Sequence, residues 1–217
     1  MANKKMGIVA VCVALALLVA VFGTIAYLSA VTDPATNTFT VGNLISDPDN
    51  FVVKEHLAVD EDGDGVYTLN TGTEVDGNSY TVLPGVALPK DPFIATLEEL
   101  KMDAYVFVEV KDTTGSSLNV VVDSDKWVLI SGVTGPQGGQ VYAMKANDGI
   151  VAAGDKLGPI TILKNDTVTV NNDEVSDAGS QFGGSVTFYG YMIQKGNFAN
   201  ATAAWMGAYG ATGTTSA

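Results

Sequence analysis

Apolar and polar residues alternate along much of this chain, most clearly in "MDAYVFVEV", Met102 to Val110. Ala104, Val106, Val108 and Val110 share one face and Tyr105 and Phe107 the other, so both faces are apolar, as in the middle of a packed sheet. "SVTFYGYMIQ", Ser185 to Gln194, reads as a second central strand, and "FVVKEHLAV", Phe51 to Val59, as another. Shorter strands are predicted at "KWVLI", "QVYAM", "PITIL" and "DTVTV", with Gly, Asn and Asp turns between them. "NTGTEVDGNS", Asn70 to Ser79, reads as a loop. In "YTVLPGVALPKDPFIATL", Pro84, Pro89 and Pro92 deny three backbone donors to a ladder, so this stretch should follow an edge or cross between sheets. "NFANATAAWMGAY", Asn197 to Tyr209, is the one convincing helix, with Phe198, Ala201, Ala204 and Trp205 near helical spacing. Eight to ten short strands and no internal repeat predict an all-β fold: a jelly-roll-like two-sheet β-sandwich with one short C-terminal helix.

The N-terminus has a different pattern. "MANKKM" is basic, Gly7 to Gly23 is apolar, and Thr24-Ile25-Ala26 closes with short side chains where an export peptidase needs them, so a signal helix precedes the sandwich. Cleavage after Ala26, leaving Tyr27 first, is preferred, with Ala30 second; an uncleaved membrane helix is the alternative, since Gly7 to Leu28 is long enough to span a bilayer. The chain therefore divides into a signal segment (1–26), an N-terminal strand (27–45), a sandwich domain (46–209) and a flexible tail (210–217). Either way the two lysines stay in the cytoplasm and the bulk lies outside, secreted or at the cell surface.

Net charge is −13, and arginine is absent. Binding phosphates needs clustered cations, so nucleic acid is excluded as a partner, and the membrane is met only through the N-terminal segment. The single cysteine, Cys12, lies in the apolar run, so the exported part has no disulfide and relies on packing, strand pairing or a bound ion.

Three groups carry candidate chemistry. "DEDGDG" puts Asp60, Asp62 and Asp64 at alternate positions before Gly65, the opening of a calcium loop in which carboxylates converge on a hard cation. The twelfth position is Thr71 instead of a bidentate Glu, and the flanks look like strands, so a solvated acidic hairpin is the competing reading. Glu74 or Asp76 would complete a site only if the loop folds back. Calcium is thus the one cofactor candidate. His56 is the only histidine, too few for the imidazole pair of a HExxH zinc peptidase, and no enzyme is expected. Tyr189, Tyr191, Trp205 and Tyr209 are expected in the core.

The signal segment ending "GTIAY", then "DPATNTFTVGNL", "VLPGVALPKDP", "DAYVFVEV", "FYGYMIQKGNF" and "AAW" together resemble the exported proteins with a SipW-type signal peptide, a group that includes camelysin and the TasA-type biofilm matrix proteins of Gram-positive bacteria. Loops such as Gly132 to Gly139 add nothing to it. The resemblance implies a jelly roll trimmed by a dedicated signal peptidase and, in some members, fibres in which the N-terminal strand of one copy completes a sheet of the next. Camelysin itself implies a cell-surface metallopeptidase, and a monomeric adhesion module is a third reading. Trimming would free the Thr-rich segment Tyr27 to Leu44, whose Phe39 and Val41 share one face and would fix its register on another copy. The alternative is that Thr36 to Leu44 pairs within its own sandwich.

Overall fold

The computed structural model describes residues 44–171 and 184–212 of the chain. These are built mainly of β-strands: β1 (Phe51–Val59), β2 (Thr68–Val75), β3 (Ala87–Pro89), β4 (Phe93–Thr96), β5 (Ala104–Asp112), β6 (Leu118–Asn119), β7 (Trp127–Thr134), β8 (Gln140–Met144), β9 (Ile150–Val151), β10 (Ile160–Thr161), β11 (Thr167–Val170) and β12 (Val186–Gln194). One α-helix, α1 (Ala201–Tyr209), occurs among the described residues, so the fold is all-β, as the alternation predicts. None of their helices is long and apolar enough to cross a membrane.

Hydrogen bonding divides the strands into three sheets, ordered β10-β4-β1-β2, β3-β11-β6 and β12-β5-β8-β7, with β9 beside β5. The proline-rich stretch crosses between two of them: β3 pairs with β11, and β4 lies between β1 and β10. Pro92 stands at that crossing because it has no N–H for either ladder.

The strand β5 is the hub. Seven consecutive residues, Ala104 to Val110, are buried; β12 pairs along the whole strand on one side, and β8 and β9 pair with parts of it on the other. Ala104, Val106, Val108 and Val110 enter the larger core cluster with Ile94, Leu163 and Val168, while Tyr105 and Phe107 enter a second one with Trp205. The helix α1 covers that second face. Asn200 caps it by accepting from the Ala203 N–H at 2.8 Å. Trp205 is fully buried, 5.2 Å from the rings of both Phe107 and Tyr191 and 4.7 Å from that of Tyr209. The expectation of core aromatics holds for Trp205, whereas Tyr191 and Tyr209 are half-buried and pack against that cluster, and Tyr189 is half-buried.

Two elements differ from the sequence reading. The segment Thr68–Val75 is a strand and not a loop: its Thr, Asn and Gly carry no apolar alternation, and pairing with β1 fixes it instead. Among the described residues β12 is an edge strand and not a central one, half-buried over eight of its nine residues and paired only with β5. The β1–β4 sheet packs on its face, where a Cβ at Gly190 would come within 2.8 Å of Ile94 and 3.0 Å of Phe51. Truncating Trp205 to Ala should cost about 3–5 kcal/mol of unfolding free energy, because the helix loses the ring that anchors it. Urea denaturation checks this; a loss below about 1 kcal/mol would mean that α1 does not depend on the ring.

Candidate functional site

The sequence-predicted residues separate in the structure. Asp60, Asp62 and Asp64 come together at the turn between β1 and β2, each offering a carboxylate oxygen within 4.8 Å of the others. Asp60 shapes the turn: its two oxygens accept from the N–H groups of Gly63 (2.8 Å) and Gly65 (3.0 Å). Gly65 is buried with φ of 84°, and a Cβ there would press on Leu83 at 2.6 Å, so only glycine suits both the conformation and the space. The loop is a hairpin turn with three converging carboxylates, a geometry compatible with either the calcium-loop or the acidic-hairpin reading. Glu74 lies opposite His56 in the β1–β2 ladder and Asp76 pairs with Lys54, so neither joins the group.

His56 is placed elsewhere, in a network of largely buried polar groups. The last β1–β4 pair is Lys54 with Phe93, and beyond it side chains take over the ladder. Asp91 accepts from the His56 N–H at 3.0 Å through Oδ1, while its Oδ2 faces the ring Nδ1 at 2.5 Å. Asn78 accepts from the Ala58 N–H and donates to the His56 carbonyl, both at 2.8 Å. Glu55 is 3% exposed and Lys90 9%, and they pair at 2.8 Å. Glu55 also accepts from the Asn78 N–H at 2.6 Å, and the ammonium lies 5.8 Å from the Tyr80 ring centre and 5.6 Å from that of Phe188. Lys90 and Asp91 of "PKDP" thus bind the neighbouring residues Glu55 and His56 of β1. The one imidazole is held by a carboxylate and is not part of the acidic group.

A second buried acid went unread in the sequence. Glu109, fully buried on β5, accepts from the N–H groups of Gln137 (3.0 Å) and Gly139 (2.6 Å) and from the Tyr191 hydroxyl (2.7 Å). Within Gly132 to Gly139, the turn Gly135 to Gly139 is therefore a tight wrap around a carboxylate: a Cβ at Gly135 would overlap the carboxyl group, and one at Gly139 would meet the Val110 carbonyl oxygen at 2.5 Å. The available signal was an acid inside the most apolar strand together with a Gly-rich turn of free N–H groups.

Of the sheet edges among the described residues, β3, β6, β9 and β10 have two or three residues, and β7 breaks register with β8 between Leu129 and Thr134. Strand β2 is long but mostly exposed and polar. Strand β12 offers nine residues in unbroken register with β5 and an outer edge with no backbone partner among the described residues. Against its middle, at Gly190 to Met192, lies a mainly apolar groove of about 270 Å³, lined also by Leu44, Ile45, Phe51 and Tyr209. The cleavage residues Ala26 and Tyr27 and the strand residues Phe39 and Val41 lie outside the described residues. In three comparisons with known proteins, no family model, no characterised protein and no solved structure matches this chain.

Calcium at a hundredfold excess over its Kd should stabilise the protein by about 2.7 kcal/mol, raising Tm. A variant with Asp60, Asp62 and Asp64 all changed to Asn should show no rise, and equal melting with calcium and with chelator in the natural chain would reject the site. Burial pushes the hydroxyls of Tyr80 and Tyr191 well above the ordinary tyrosine range, reinforced by Glu55 and Asp91 for the first and by Glu109 for the second. A raised pKa means that the folded state holds a proton the unfolded state releases, so this stability is complete below about pH 10 and fades as pH rises through the folded values. Ultraviolet titration should show a late tyrosinate step that coincides with unfolding and shrinks in Tyr80→Phe and Tyr191→Phe; a single step near pH 10 contradicts the assignment.

Proposed function

We propose that this protein is an exported structural subunit of a cell-surface or biofilm-matrix fibre, a jelly-roll-like two-sheet sandwich that assembles when the segment following a cleaved signal helix adds to a neighbouring copy. The observation that carries the reading is the open nine-residue edge of β12 with the apolar groove beside it. An unpaired edge presents N–H and C=O groups to any extended segment, and a groove gives its alternate side chains somewhere to go. The described residues begin at Leu44, and Leu44 and Ile45 line that groove, so the chain enters the described domain beside this edge. Supplying it from another copy exchanges identical contacts, which keeps the free-energy difference between closed monomer and open chain small.

The reading is supported also by the resemblance of the exported segments to TasA-type proteins, and by the placement of His56 in a carboxylate pair instead of with the three aspartates. Signal peptidase is the partner during export, and other copies are the partner afterwards. The assembly should be built from backbone hydrogen bonds and fixed in register by Phe39 and Val41.

Protein that starts at Tyr27 should form fibres visible by negative-stain electron microscopy, and deleting Tyr27 to Val41 should leave monomers. The double variant Phe39→Asp, Val41→Asp should fall to monomers or short oligomers. Monomers from all three, across salt and calcium concentrations, would overturn the proposal.

A further inference from the structure

The Glu55–Lys90 pair is buried and in direct contact. Two opposite charges are withdrawn from water, with Lys90 Nζ 2.8 Å from Glu55 Oε2 and beside the rings of Tyr80 and Phe188. The other carboxylate oxygen, Oε1, is fixed by the Asn78 N–H at 2.6 Å. A cavity of about 340 Å³, lined in part by Asn78, Tyr80, Leu88 and Lys90, opens beside the pair. We propose that Lys90 and Glu55 condense into an intramolecular amide that ties β1 to the crossing between β3 and β4.

The step balances without an added reagent. In the proposed step a proton passes from the ammonium to Oε2 along the existing hydrogen bond, giving an amine and a carboxylic acid. The Nζ lone pair then attacks Cδ, and charge gathers on Oε1, where the Asn78 N–H already points. The Cδ–Oε2 bond breaks, the departing hydroxyl takes a proton from nitrogen, and one water leaves into the cavity. Holding the two groups in contact replaces an encounter in solution by an intramolecular step.

The product removes two buried charges whose desolvation opposes folding and leaves an amide in their place. It would also provide the covalent brace that a chain with one cysteine cannot obtain from an internal disulfide. The inference concerns the domain alone and holds whether or not copies assemble.

The test is the intact mass of the denatured full chain, with both termini defined by sequencing. The expected mass is one water below that of the sequence, with a protease digest yielding a branched peptide that joins the segments around Glu55 and Lys90. In Lys90→Gln and Glu55→Ala the full mass should return, while Lys101→Gln should keep the deficit. A natural chain at its full sequence mass overturns the proposal, whatever the variants do. Water loss mapped to a cyclised Asp-Gly pair, such as Asp76-Gly77, and reversed by mild base overturns it equally.

Discussion

A carboxylate taken out of water must be met by donors or by a cation, and two such groups govern how this chain is laid out. Glu55 and Glu109 both lie within strands that are otherwise mainly apolar, and both are buried. Glu109 draws the turn at Gly135 to Gly139 and the Tyr191 hydroxyl onto one face of β5. Glu55 draws Lys90 and the Asn78 backbone onto β1, and His56 beside it draws Asp91. Each acid therefore joins segments far apart in sequence, and a loop that would otherwise be free to move becomes part of the interior. Hydrophobic burial supplies the larger share of the driving force. The acids decide which connection closes over which strand.

The division between what could and could not be read from the sequence follows from the same chemistry. Strand β1 matches the predicted Phe51 to Val59, and β5 begins two residues beyond its predicted start, because alternation is a local signal and both strands carry it strongly. The crossing of the proline-rich stretch was legible because a missing N–H is a property of the residue itself. Strand β2 was not, since its pairing comes from β1 and its own composition suggests a loop. The helix begins at Ala201 and not at Asn197, because the Asn200 side chain caps it; Phe198 precedes the helix and packs near Gly207 instead. At the acidic turn the convergence of Asp60, Asp62 and Asp64 was fully visible in the spacing. The partners of His56 and Glu109 were invisible there: sequence separations of 35 residues to Asp91 and 30 to Gly139 put each acceptor and its donors in different elements.

The proposed assembly and the proposed amide use different groups around β12. The first concerns its free edge and the apolar surface near Leu44, whereas the second concerns two side chains beside the rings of Tyr80 and Phe188. A load-bearing role would join them, since tension entering through one strand has to pass through the domain to reach the next. Cross-linking β1 to the β3–β4 crossing would place a covalent bond between two of the sheets that such tension would pull apart.

The contrast between the two long rims has one more consequence. Strand β2 is shielded by charge: the aspartate turn leads into it, Glu74 sits near its end, and Asp76 follows. Approach of a second acidic body along that rim meets like charge, whereas the nine residues of β12 itself include no acid. In the proposed fibre, a subunit with one charged and one receptive flank would have a low valence, so copies would join in single file instead of spreading into mats. Unbranched geometry would then follow from where the aspartates lie.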